Sequence, residues 1–176
     1  MSEQPPKGRI LILAGDGKGK TTSALGTALR AAGHGMRVLI VQFVKGRPAG
    51  EHVALDRLDA DVETRLCGTG FIDPDAPGLE AGQGARSGLQ RAAAELAGGT
   101  WDMVVLDEAL YALRLGLFEA GALRSAVTGR ADGVHVILTG NGPYRELADL
   151  ADTITEMRNV RHAHEEGVPP TAGIEL

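Results

Sequence analysis

Residues 10–26 read ILILAGDGKGKTTSALG. Four apolar residues lead into glycines at 15, 17 and 19, interleaved with Lys18 and Lys20 and followed by two threonines. A short, continuously apolar run is the pattern of a strand buried on both faces. Beyond the glycines, Ala24, Leu25, Ala28, Leu29 and Ala32 recur at helical spacing, and the glycines at 33 and 35 stop the helix. Strand, glycine loop and helix in this order are what a phosphate-binding loop requires. Glycines let successive N–H groups turn toward an anion, and the start of the helix adds donors and a positive dipole end. Gly15, Asp16, Gly17, Lys18, Gly19, Lys20, Thr21 and Thr22 therefore form the candidate cradle, with Lys20 reaching phosphate oxygens and the Thr21 hydroxyl binding Mg²⁺. The strict pattern has glycine five residues before Gly19; here Ala14, the next least bulky residue, takes that place.

Working outward, RVLIVQF (37–43), ADVETRL (60–66), WDMVVLDE (101–108), GVHVILTG (133–140) and DTITEMRNV (152–160) read as further strands. Between them, Leu89, Ala93 and Leu96, then Leu110, Leu113 and Leu117, mark helices. Residues 68–84 have no clear period and read as a long functional loop. The alternation predicts an α/β class: a P-loop NTPase-like domain whose mainly parallel sheet has about five or six strands, with helices on both faces and right-handed crossovers. One domain over 1–176 is expected, with residues 1–8 a flexible N-terminus and 167–176 an extended C-terminal tail.

The second half of such a site is an acid at the end of a neighbouring strand. WDMVVLDE supplies Asp107 and Glu108, and one of these carboxylates can hold Mg²⁺, or Mn²⁺ in its place, directly or through water. Adjacent acids at a strand end can also cap the next helix, and that reading stays open. Together the two motifs point to a Mg-nucleotide, without saying what happens to it.

Composition narrows the classes further. The chain has 176 residues, 43% hydrophobic and 23% charged, an ordinary globular balance. A net charge of −5 argues against sequence-independent nucleic-acid binding, which usually needs a basic field. The single cysteine, Cys67, forms no internal disulfide and fits a reducing compartment as a small buried residue. The polar start MSEQPPKGR has no signal-peptide character, and no stretch approaches the roughly 20 apolar residues of a membrane span. A soluble, cytoplasmic protein with no membrane partner is the expectation.

Read together, GDGKGKTTSALGTALRAAGHG (15–35), VQFVKG (41–46), GE (50–51), WDMVVLDEALYAL (101–113), LADTITEM (150–157) and GIEL (173–176) resemble the ATP:corrinoid adenosyltransferases of the P-loop type. The doubled lysine of GKGKTT and the VQF-x-KG strand end are more specific than a generic phosphate loop. The resemblance implies that a reduced Co(I) corrinoid, cob(I)alamin or cob(I)yrinic acid a,c-diamide, attacks the 5′ carbon of ATP and that triphosphate leaves intact. It further implies residues 15–22 around the triphosphate, Lys18 and Lys20 offsetting its charge, and Lys20, Thr21 and Glu108 as the catalytic group. Thr21, Asp107 and Glu108 stand as the candidate Mg²⁺ ligands, and Asp16 meets the ribose. Arg30, on a helix face with Ser23 and Thr27, is a nucleotide contact or equally a solvated arginine. Gln42 is a corrinoid- or nucleotide-side contact, and Phe71 a wedge under the corrinoid ring. A flavoprotein-type corrinoid reductant and a homodimer complete what the resemblance implies.

The chain departs from that pattern in several places. After Gly70-Phe71 the family has a second aromatic, whereas this chain continues Ile72-Asp73-Pro74-Asp75. Trp101 stands at the start of the acid-bearing strand and reads as packing. The family's TGR is Thr139-Gly140-Asn141, losing a cation that Lys18 or Arg145 would have to replace. His162 and His164 read as surface histidines of a tail rather than a metal pair. The long N-terminal extension of some members is missing, as in a short form. Two further classes therefore stay in view: an ATPase or kinase on the same scaffold without corrinoid chemistry, and a non-catalytic corrinoid- or nucleotide-binding protein.

Overall fold

The computed structural model describes residues 7–58, 61–70, 72–74 and 76–175. Six strands, β1 (Ile10–Ala14), β2 (Val38–Gln42), β3 (Val62–Leu66), β4 (Met103–Asp107), β5 (His135–Gly140) and β6 (Thr153–Glu156), form one sheet in the order β3-β2-β4-β5-β1-β6. Every pairing is parallel. Parallel neighbours need crossover connections, and most of these carry helices: α1 (Lys20–Ala32), α2 (Gly50–Leu55), α3 (Leu79–Gly98), α4 (Ala109–Arg114) and α5 (Ala120–Thr128). A 3₁₀ turn over Arg145–Leu150 joins β5 to β6.

Period-two alternation divides the apolar strand residues between two cores. Ile12, Leu39, Val41, Val104, Leu106 and Leu138 face Leu89 and Leu96 of α3, Leu110 of α4 and Leu123 of α5. Leu13, Ile40, Val105 and Ile137 face the opposite way, onto Ala24, Ala28 and Ala31 of α1. The buried stripe of α1 is thus alanine apart from Lys20 at its start, so the helix lies close against the sheet. Helices on both faces and an all-parallel sheet agree with the α/β expectation.

Several expectations need correction. β5 lies between β1 and β4, so Asp107 is not on the strand next to the glycine loop; Ala14 pairs with Gly140, and Gln42 with Asp107. The last six residues of the expected 68–84 loop are helical, because α3 begins at Leu79. Its early glycines are packing positions rather than loop signals. A Cβ at Gly84 would stand 2.6 Å from the Cys67 carbonyl oxygen, and one at Gly88 2.7 Å from the Cys67 Cβ. The last strand stops at Glu156, and 157–159 leaves the sheet to wrap the glycine loop. Leu117 falls after α4 ends, yet is buried in the core.

Residues 1–6 of the expected loose N-terminus lie outside the described residues. Gly8 is held, its carbonyl accepting from Arg130 Nη2 at 3.2 Å. Trp101 packs against the core and donates to Glu95 Oε2 at 2.8 Å, and Cys67 is buried. Among the described residues no helix is long and apolar enough to cross a membrane.

The α3 glycines give a direct check on this packing. Gly84→Ala should destabilise the chain by about 1–3 kcal/mol through overpacking. Gly26→Ala, where a Cβ on α1 meets nothing within 4 Å, should stabilise it by about 0.5–1 kcal/mol. Thermal unfolding of the two variants should therefore move Tm in opposite directions.

Candidate active site

All six strands point their carboxyl ends to one edge of the sheet, where ligands of doubly wound folds bind. The glycine loop leaves β1 there. Gly15 and Gly19 have φ of +107° and +109°, conformations that favour glycine. Ala14 is still strand, which is why a Cβ is accepted where the strict motif has glycine. Gly15 and Gly17 are small for a second reason. The Gly17 N–H donates to the Met157 carbonyl at 2.8 Å, and a Cβ on Gly17 would come within 2.6 Å of that carbonyl carbon. The Lys18 N–H donates to Asn159 Oδ1 at 3.1 Å, so the chain after β6 forms the outer mould of the loop.

Lys20 opens α1 behind Gly19, which caps the helix without a side-chain bond, so the first-turn N–H groups face the loop. The Lys20 ammonium is nearly buried and donates to the Gly17 carbonyl at 2.7 Å. Thr21 Oγ1 donates to Asp107 Oδ1 at 2.8 Å. Thr139 Oγ1, from the strand between them, donates to the same oxygen at 2.7 Å. Gln42 Nε2 donates to Asp107 Oδ2 at 2.9 Å. Asp107 is 1% exposed, and these three donors satisfy its oxygens in the interior.

Glu108 follows with φ 58°, the one positive φ among the described non-glycine residues. Such a conformation costs on the order of 1 kcal/mol and turns the side chain away from the strand direction. Its N–H is held by Thr139 Oγ1 at 2.9 Å. Burial, reinforced by the Asp107 charge, pushes the Glu108 carboxyl up to about 7, while Lys20 and Lys45 pull it back.

Of these groups, Lys20, Thr21 and Glu108 border a cavity of about 670 Å³. Its wall combines residues 18–22 of the loop and α1, Lys45 after β2, Gly50, Glu51 and Ala54 on α2, Glu108, and residues 173–175. Lys45 is paired with Glu51. Burial raises the Glu51 carboxyl, but its bond to Lys45 and a backbone N–H bring it below the usual carboxylate range. The tail, expected to be extended, turns back instead: Lys18 Nζ donates to the Ile174 carbonyl at 2.8 Å and lies 3.4 Å from Glu175 Oε1. A second cavity of about 560 Å³ shares Lys45 and Glu175 with the first and is bordered by Gly46, Arg47, Thr69 and Gly70.

The structure thus brings Lys18, Gly19, Lys20, Thr21, Thr22 and Glu108 onto one cavity, with Asp107 directly behind Thr21. Gly15 and Asp16, the latter expected to meet the ribose, border a separate hollow against residues 156–159. Arg30 is exposed, ten residues or about 15 Å along α1 from Lys20, and borders neither cavity. Gln42 is 1% exposed, so it touches Asp107 rather than any ligand. Arg145 is exposed and borders neither cavity; Lys45 supplies the additional cation. Phe71 lies outside the described residues, as does the side chain of His164. No group of three or more His, Cys, Asp or Glu suited to a metal occurs among the described residues. The hydroxyl of Thr21 and the carboxylates of Asp107 and Glu108 nevertheless form a compact set of hard oxygen donors, which suits Mg²⁺.

Sequence reasoning assigned no role to Lys45, Glu51, His52, Thr139 or the 173–175 segment. Lys45, Glu51, Thr139 and the segment lie inside or beside quoted motif text; His52 had no signal.

A parallel sheet whose carboxyl edge carries a glycine loop, a Lys-Thr pair and a buried acid defines an α/β protein consistent with the P-loop NTPase-like fold. The chain belongs to the family described as ATP:corrinoid adenosyltransferase BtuR/CobO/CobP, whose profile matches residues 6–176. It is 41% identical over 174 residues to the corrinoid adenosyltransferase CobA of Salmonella typhimurium strain LT2, covering 98% of this chain and 87% of the relative. The corrinoid adenosyltransferase of Escherichia coli strain K12 is 40% identical with the same coverage. That of Pseudomonas aeruginosa PAO1 is 36% identical over 171 residues, covering 97% and 84%.

The Glu108 carboxyl makes stability depend on pH. Folded, it keeps its proton to about pH 7; unfolded, only to its ordinary 4.5. The folded state therefore binds more protons between these values, and stability falls as pH rises through that window. Glu108→Gln should raise Tm at pH 8, by a gain on the order of 2 kcal/mol, and leave Tm at pH 4.5 nearly unchanged. Scanning calorimetry at both pH values checks this; a loss of Tm at pH 8 would contradict it.

Proposed function

We propose that this chain transfers the 5′-deoxyadenosyl group of Mg-ATP to the Co(I) centre of a reduced corrinoid, cob(I)alamin or a precursor such as cob(I)yrinic acid a,c-diamide, and releases triphosphate. The observation that carries the reading is the pairing of cavities in a member of this family. A pocket bordered by three lysines, Thr21 and Glu108 shares Lys45 and Glu175 with a second pocket bordered by Arg47, Thr69 and Gly70. The first suits a triphosphate. The second suits the amide- and acid-fringed corrinoid, with Phe71 next in sequence to Gly70 as the candidate wedge beneath the ring.

The Co(I) electron pair forms the cobalt–carbon bond as the C5′–O bond breaks, and that bond's pair leaves with the triphosphate. An unactivated primary carbon makes the leaving group the difficult partner, so binding energy is best directed to the charge gathering on it. Lys18, Lys20 and Lys45 offset that charge together with the N–H groups of the loop. The Thr21 hydrogen is committed to Asp107, which leaves the Thr21 oxygen lone pairs for Mg²⁺, and Glu108, on the same cavity, would hold the metal with it once its carboxyl is ionised. Mg²⁺, when bound, adds positive charge at the phosphate oxygens. A separate flavin-type reductant supplying Co(I) and a homodimeric assembly belong to the same reading.

Separating the phosphate products tests the proposal. With Mg-ATP and chemically reduced cob(I)alamin, triphosphate should appear in step with adenosylcobalamin, and neither should form without corrinoid. ADP produced without corrinoid would overturn it in favour of an ATPase or kinase, and binding without turnover in favour of a non-catalytic binder. Lys20→Ala should reduce kcat/KM for ATP by on the order of 100-fold or more.

A further inference from the structure

His52 lies on α2, 7% exposed, with no contact to the cavity, yet both its ring nitrogens are engaged. The Ala49 N–H lies 2.8 Å from Nδ1. Nδ1 also lies 3.3 Å from the Ala49 carbonyl oxygen, but an amide N–H only donates, so the shorter contact makes Nδ1 the acceptor; a proton there would set two hydrogens against each other across 2.8 Å. In the neutral ring the proton is therefore on Nε2. That nitrogen lies 2.6 Å from Gln42 Oε1, which accepts it. With its oxygen so occupied, the Gln42 amide has one orientation left, and its Nε2 donates to Asp107 Oδ2 at 2.9 Å. A glutamine amide has no preferred sense of its own, and the reverse orientation would set oxygen against a buried carboxylate. Asp107 favours the same orientation from the other end, so His52 reinforces that sense and, by engaging Oε1, fixes where the amide stands.

The chain of donors runs in one direction, from the Ala49 N–H through His52 and Gln42 to Asp107. At its far end Asp107 presents Oδ1 to the Thr21 hydroxyl at 2.8 Å. The same short helix puts Gly50, Glu51 and Ala54 on the cavity wall, so the relay also ties that wall to the sheet.

We propose that His52 is a positioning residue which, by locking the Gln42 amide, orients Asp107 and through it the Thr21 hydroxyl for the metal of bound Mg-ATP. The inference rests on the reading of Thr21 and Asp107 as part of the metal-holding set. Loss of such outer partners commonly costs about 10- to 100-fold in metal affinity, and the lower end suits a group two bonds of the relay away.

The test is Mn²⁺ binding to the full chain in the presence of ATP, followed by electron paramagnetic resonance, with Tm recorded for each variant. His52→Leu should weaken Mn²⁺ binding about tenfold. His52→Gln, whose amide nitrogen can stand where Nε2 stands, should restore it to within about twofold. A merely structural histidine would lower Tm without this selective rescue. Unchanged Mn²⁺ binding in His52→Leu, with binding weakened in Asp107→Asn, would overturn the proposal and leave the metal reading intact. Unchanged binding in Asp107→Asn as well would overturn the metal reading and the proposal with it. Should His52→Leu fail to fold, Gln42→Met and the Gln42→Met/His52→Leu pair decide. Equal Mn²⁺ affinities support action through Gln42, and a further loss in the double variant overturns it.

Discussion

A single buried carboxylate organises this molecule. Asp107 is drawn from β4 into the interior at the carboxyl edge of the sheet, and its charge is tolerated because Thr21, Thr139 and Gln42 all donate to it. Those donors come from α1, β5 and β2. Four elements that are separate in the chain are therefore held in register by one group whose desolvation penalty, several kcal/mol if unmet, is cancelled only when all are in place. The strand order follows the same logic. With β5 between β1 and β4, a bridge is needed between the loop and the acid, and Thr139 supplies it while also fixing the Glu108 N–H.

The glycine loop answers to two neighbours at once. Gly15 and Gly19 take positive φ angles, which bend the loop toward the start of α1. Gly15 and Gly17 also press against the backbone of Met157 and Arg158, where any Cβ would collide. The backbone beyond the outermost strand thereby shapes the innermost part of the site. Glu108 is treated comparably: its left-handed backbone and raised carboxyl are both unfavourable on their own, and both are sustained by surrounding packing.

Much of this was legible in the residues. The apolar runs at 10–13, 38–41 and 103–106 announced buried parallel strands because they are continuous, and the Lys20-Thr21 and Asp107-Glu108 pairs marked the candidate site to which the fold brings Lys20, Thr21 and Glu108. What escaped notice did so for identifiable physical reasons. The start of α3 was hidden by glycines at 82, 84 and 88, which usually signal loops; here Gly84 and Gly88 admit Cys67. α2 has only six residues and no apolar period to detect. Gln42 looked like a ligand contact because it ends a strand beside the crevice, and only its burial against Asp107 and His52 redirects it. Arg30 shared a helix face with Ser23 and Thr27 in sequence, but spacing along α1 alone takes it out of reach.

The turned-back tail alters the meaning of an affinity at this site. Lys18 already holds a carbonyl oxygen of Ile174 and stands beside the Glu175 carboxylate. Under the proposed function, an arriving phosphate would not meet a bare ammonium; it would exchange one set of oxygen partners for another. The favourable term is a difference between two grips, smaller than either, and the same difference limits how firmly a spent triphosphate is retained. A loop with the charge to hold a polyphosphate tightly is in this way tempered by the protein's own carboxylate, which favours turnover over storage.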